Sequence, residues 1–158
     1  MTWERGRAEI ERLVDGRELE RVTPSPDVAD RLIADATAHI ALAGKGVGDD
    51  PAGTLQLSYD AARKASAALL AVQGLRATTR GGHIAVIDAV RAQFNGHGGI
   101  EVFGRLHQLR RRRNATEYPD PSSPTVSEDD ARYALATAED TVDAARRLLD
   151  SSRLDPFD

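Results

Sequence analysis

Leu55-Gln56-Leu57-Ser58-Tyr59-Asp60-Ala61-Ala62-Arg63-Lys64-Ala65-Ser66-Ala67-Ala68-Leu69-Leu70-Ala71-Val72 places Leu55, Tyr59, Ala62, Ser66, Leu69 and Val72 at intervals of three and four residues. That interval is the period of an α-helix, so the stretch reads as one long helix with a buried face. Asp50-Pro51 supplies its start, and Gly74 is a suitable C-terminal cap. The small side chains of Ala61, Ala62, Ala65, Ser66, Ala67 and Ala68 suit close packing of neighbouring helices better than a ligand box.

The same period recurs on both sides. A first helix is expected over 3–21, burying Trp3, Ile10, Leu13 and Val14, and Thr23-Pro24-Ser25-Pro26 breaks it. Ser25 caps a second helix with Pro26 in its first turn; Val28, Leu32, Ala36, Ile40 and Ala43 form its apolar face, and Gly44 stops it. Beyond Thr78-Thr79-Arg80-Gly81-Gly82, a fourth helix carries Ile84, Ile87, Val90 and Phe94. The fifth, over about 100–118, buries Ile100, Phe103, Leu106 and Leu109 and is ended by Pro119. Ser127 caps the last, whose positive end meets Glu128, Asp129 and Asp130 and whose apolar face includes Ala131, Leu135, Ala138, Val142, Ala145, Leu148 and Leu149. Alternating patterns are too weak to predict a strand. The expected fold is all-α: a single bundle of five to six helices over 1–150, with a tail at 151–158 that frays.

Composition narrows the function classes. At 158 residues the chain fits one domain. An apolar share of 41% is too high for a disordered chain, and 4% aromatics leave the core to Ala, Leu, Val and Ile. With no cysteine, disulfides, thiol catalysis and thiolate metal sites are excluded. No apolar run approaches the roughly 20 residues that span a bilayer, and the first residues lack the apolar stretch of a signal peptide. A cytoplasmic protein with no membrane association is expected.

Charge is uneven. The formal net charge is −4, yet 102–116 contains five arginines and no acidic residue. Arg110-Arg111-Arg112-Arg113-Asn114 falls in the last turns of the fifth helix. Two readings fit: a docking place for an anionic partner such as RNA, a nucleotide or an acidic protein face, or solvated arginines that offset the helix dipole. Gly44-Lys45-Gly46-Val47-Gly48 lacks the preceding strand and the Gly-Lys-Ser/Thr ending of a phosphate loop, so it reads as a connector. His39, His83, His97 and His107 have no helical metal spacing; no metal or cofactor is expected. His39 falls on the apolar side of its helix and reads as a core histidine. His83 and His97 lie at helix ends, as caps or solvent contacts. His107, almost two turns before Arg113, is a candidate to share its side.

Three pieces resemble the HEPN superfamily, the higher eukaryote and prokaryote nucleotide-binding helical domains. These are 57–70, the turn over 74–83, and the signature-like helix Leu106-His107-Gln108-Leu109-Arg110-Arg111-Arg112-Arg113-Asn114-Ala115-Thr116-Glu117-Tyr118. The resemblance covers roughly 50–150. Catalytic members are metal-independent endoribonucleases whose signature is Arg, four to six residues beginning with a polar one, then His. Arg113 and Asn114 match the first two positions; Tyr118 stands where a His would. The resemblance therefore implies an RNA-directed component of a prokaryotic toxin–antitoxin or phage-defence module. Arg113 would be its phosphate clamp, Asn114 and Tyr118 its catalytic neighbours, and Arg110, Arg111, Arg112 and His107 further RNA contacts. It also implies a homodimer whose signature helices face a shared cleft. The alternative it offers is a non-catalytic partner that binds a nucleotidyltransferase or a nucleotide.

Cleavage without a metal needs a base for the 2′-hydroxyl and a cation for the phosphate. Arginine suits the second task. A tyrosine of ordinary pKa, near 10, is ionised only about one part in a thousand at pH 7, so Tyr118 is a poor base unless the arginines lower its pKa. Five residues of helix turn through a net angle of about 140°, so Arg113 and Tyr118 do not share a face. Glu117, four residues on, is placed to pair with Arg113.

Overall fold

Three of the four longest elements begin where a polar side chain closes the first turn. In the computed structural model, which describes residues 3–151 and 154–157, the order is α1 (Arg7–Asp15), β1 (Leu19–Arg21), α2 (Pro26–Gly46), α3 (Pro51–Val72), β2 (Leu75–Ala77), α4 (Gly82–Phe94), α5 (Leu106–Glu117) and α6 (Glu128–Asp150). Ser25 Oγ accepts from Val28 N (3.2 Å), and Asp50 Oδ1 from Gly53 N (2.9 Å). Ser127 and Asp130 exchange bonds between side chain and backbone in a capping box at the start of α6. The architecture is the expected all-α bundle, with six α-helices among the described residues.

α3 is the central element and packs on α2, α4, α5, α6 and β2. Ala61, Ala62, Ala65 and Ala68 are fully buried along it, so backbones approach closely without large side chains between them. A four-residue connection returns α2 into α3, and Thr54 Oγ1 donates to Ala43 O (3.0 Å) across that corner. At the far end of α3, Gln73 and Gln93 lie buried and exchange two amide hydrogen bonds of 2.7 and 3.0 Å, tying α3 to α4. Neither amide is left unsatisfied, which is what makes the pair tolerable in a core.

Several expectations are corrected. β1 and β2 form an antiparallel pair, Leu19 opposite Ala77 and Arg21 opposite Leu75. Three residues are too few to show alternation, and the pairing is set by tertiary contact. The first helix ends at Asp15, where Gly16 and Arg17 (φ 59°) turn the chain into β1. α2 runs on to Gly46, because a glycine facing solvent does not by itself end a helix. Its buried line is Ala29, Ala36 and Ala43, leaving Val28 exposed; Ile84 is exposed as well. The fifth helix begins at Leu106, after two short 3₁₀ turns at His97–Gly99 and Val102–Arg105. His39 is half-buried in a charged cluster, with Nε2 2.8 Å from Lys64 Nζ and 3.2 Å from Asp60 Oδ2. The tail is docked at Phe157: its ring is buried under the Arg7 and Arg21 guanidinium groups and its N–H donates to Gln73 O (2.7 Å). Residues 152, 153 and 158 of the expected frayed tail lie outside the described residues.

Candidate phosphate and proton-transfer site

Consecutive helical residues are about 100° apart, so four adjacent arginines cannot share a direction. Arg110 and Arg113, three apart, turn towards α3 and α4. Arg112 reaches α6 and pairs with Asp130 (2.8 Å). Arg111 is exposed and lines a separate small cavity beside Pro124 and Val126. The arginine run is thus divided among three surroundings.

Arg113 lines a cavity of about 370 Å³ together with Gln56, Leu57, Tyr59 and Asp60 of α3 and His83 of α4. Its guanidinium lies 5.8 Å from the centre of the Tyr59 ring, within cation–π range. Tyr59 Oη and His83 Nδ1 are 3.0 Å apart and share a hydrogen bond. Burial pushes the Tyr59 phenol up to about 12, against the opposing charges of Arg63, Arg110 and Arg113, so it keeps its proton at neutral pH. His83 is shifted the other way: burial first, then the charges of Arg63 and Arg113, hold its pKa below the ordinary value. Neutral imidazole is the form present at pH 7. Burial opposes ionisation of Asp60, but the hydrogen bond and charge of Arg63, with the charge of Lys64, keep its carboxyl below the usual range. Asp60 holds Arg63 beside the site through Nε (3.2 Å).

His83 is positioned by the turn before it. Thr78 N and Oγ1 bind Glu18 O (3.0 Å) and Arg17 O (2.6 Å), and Gly81 N donates to Thr78 Oγ1 (3.2 Å). A Cβ on Gly81 would stand 2.0 Å from Glu18 O, so only glycine lets α4 begin this close to β1.

The remaining expected site residues are dispersed. Asn114 Oδ1 accepts from Arg113 Nη1 (3.3 Å). Glu117 contacts the Arg113 guanidinium as the spacing predicts; its Oε2 is shielded from water without a well-directed hydrogen bond, so the contact is coulombic. Tyr118 ends α5 and is 73% exposed, away from the cavity. His107 Nε2 pairs with Asp88 Oδ1 (2.7 Å), and Arg110 Nε lies 3.5 Å from its Nδ1; it lines no part of the Arg113 cavity. Tyr59 and His83 are the lining residues that reading along the chain missed, and Arg63 stands beside them on Asp60. The available signal was the pair Gly81-Gly82 immediately before a histidine, which marks a close backbone approach.

A larger cavity of about 470 Å³ opens between α2, α3, β2 and α4. Its wall is mainly Val22, Leu32, Leu70, Leu75 and Val86, with Arg63 and Arg76 as its charged residues and without a histidine or carboxylate. Among the described residues no group of three or more metal-ligating side chains occurs, and no helix is long and apolar enough to cross a membrane. Comparison with family models, curated proteins and solved structures gives no match for this chain.

Proposed function

We propose that this protein is a HEPN-like, RNA-directed component of a prokaryotic toxin–antitoxin or phage-defence module, acting as a homodimer in the cytoplasm with Arg113 as its phosphate clamp. What supports the reading is the Arg113 cavity: a guanidinium beside a neutral imidazole and a protonated phenol, with Arg110 and Arg63 adding positive potential. Guanidinium recognises phosphate with two parallel donors, and a recessed cationic surface concentrates polyanions. Glu117 then acts as a placeholder that phosphate displaces.

The measurement is anisotropy of a short labelled single-stranded RNA in EDTA across a salt series. Arg113→Ala is expected to weaken binding about tenfold and to reduce the salt slope by about one. Equal affinity and slope in both proteins would remove Arg113 from the interface. A second reading, a non-catalytic partner of a nucleotidyltransferase, is favoured by Tyr118 lying outside the cavity and by Glu117 neutralising Arg113. Growth arrest on expressing this chain alone, abolished by Arg113→Ala, would speak against it.

A further inference from the structure

We propose that His83, on α4 and outside the arginine-rich helix, is the general base of RNA cleavage at the Arg113 cavity, with Tyr59 as its positioning residue. The inference rests on the RNA reading above. Three observations carry it. His83 and Arg113 line one cavity, so a phosphate held by the guanidinium would lie in the same recess as the imidazole. Tyr59 engages Nδ1, and among the described residues Nε2 makes no hydrogen bond. In the tautomer that donates Nδ1–H to Tyr59 Oη, Nε2 keeps its lone pair for an incoming proton. The third observation is Tyr118, solvent-exposed and outside this cavity.

The step balances without a metal or redox partner. Nε2 takes the 2′-hydroxyl proton while the 2′-oxygen forms a bond to phosphorus. The P–O5′ bond breaks, its electron pair goes to the 5′-oxygen, and water protonates that oxygen. The imidazolium returns its proton to solvent. The products are a 2′,3′-cyclic phosphate and a 5′-hydroxyl end. Arg113 neutralises charge on the non-bridging oxygens as phosphorus becomes five-coordinate.

The groups facing His83 are Tyr59, Asp60 and Arg63 from α3 and Arg110 and Arg113 from α5. Burial and the arginines favour neutral imidazole, and Asp60 opposes them. Cleavage should therefore rise with pH along a limb centred below about 6.5, the ordinary histidine value. Tyr59→Phe removes the acceptor that favours imidazolium, so the limb should move to lower pH.

The test is single-turnover cleavage of a labelled single-stranded RNA in EDTA, beside anisotropy binding and a thermal melt of each variant. His83→Gln should keep RNA affinity within about twofold and lose roughly a hundredfold or more in cleavage rate. His83→Ala should regain rate with added imidazole. Tyr118→Phe should leave binding and cleavage unchanged, and an all-deoxy strand of the same sequence should stay intact. Wild-type cleavage by His83→Gln, or bound RNA left uncut by the wild type, would overturn the base assignment while the Arg113 reading stands. Unaltered binding by Arg113→Ala would overturn the reading beneath it.

Discussion

α3 has two unlike sides. One stripe is closed by Ala61, Ala62, Ala65, Ala68 and Leu69, all buried. Another stripe presents Tyr59 and Asp60 to the Arg113 cavity, with Arg63 held against Asp60 beside it. The first side contributes stability through apolar burial and close contact. The second gathers charge that a core would exclude. The difference shows that one helix can serve as both spine and site wall when the two demands fall on different stripes.

The closed side should be the more costly to disturb. Leu69→Ala is expected to lower stability by about 2–5 kcal/mol, since Leu69 is fully buried and packed surroundings relax only partly around a void. Tyr59→Phe, on the open side, keeps the ring and loses only one hydrogen bond, about 0.5–1.5 kcal/mol. Chemical denaturation of both variants measures the contrast. Equal losses would mean that the two sides are not energetically distinct.

The contrast also explains what could be read from the chain. Helices α2, α3 and α6 were legible because capping residues and apolar periodicity agree there. β1 and β2 were not, since Leu19-Glu20-Arg21 and Leu75-Arg76-Ala77 acquire their pairing only when the bundle brings them together. Arg113 and its ion pair with Glu117 follow from spacing along one helix. His83 belongs to the same cavity but lies on another helix, so no local pattern joins the two. Along α5 alone, Tyr118 stands where the resemblance expects a histidine. Its place at the C-cap, beyond the last full turn, turns it to solvent.

A smaller effect should come from Glu117, which shares the open side with Arg113. On the proposed reading, Glu117→Gln removes a carboxylate that would compete with phosphate for the guanidinium. RNA affinity should rise roughly threefold, in line with the fraction of a kcal/mol typical of partly exposed ion pairs. The gain should shrink as salt rises, because screening already weakens the competitor. A fall in affinity would show that Glu117 instead holds Arg113 in its binding posture.

The smallest expected change separates adjacent arginines. Arg112 and Arg113 are covalent neighbours, but Arg112 meets Asp130 at the capping box of α6 whereas Arg113 faces the cavity. Arg112→Ala should cost about 0.2–1 kcal/mol of stability, as expected for an ion pair near the surface. The loss should vanish in an Asp130→Asn background, where the partner charge is already gone. RNA binding should change little, since Arg112 lies outside the Arg113 cavity. If Arg112→Ala weakened RNA as much as Arg113→Ala does, the polyanion would be sensing the total charge of α5. A difference between the two would instead locate the contact on the face shared with Tyr59 and His83, where helix geometry turns Arg113.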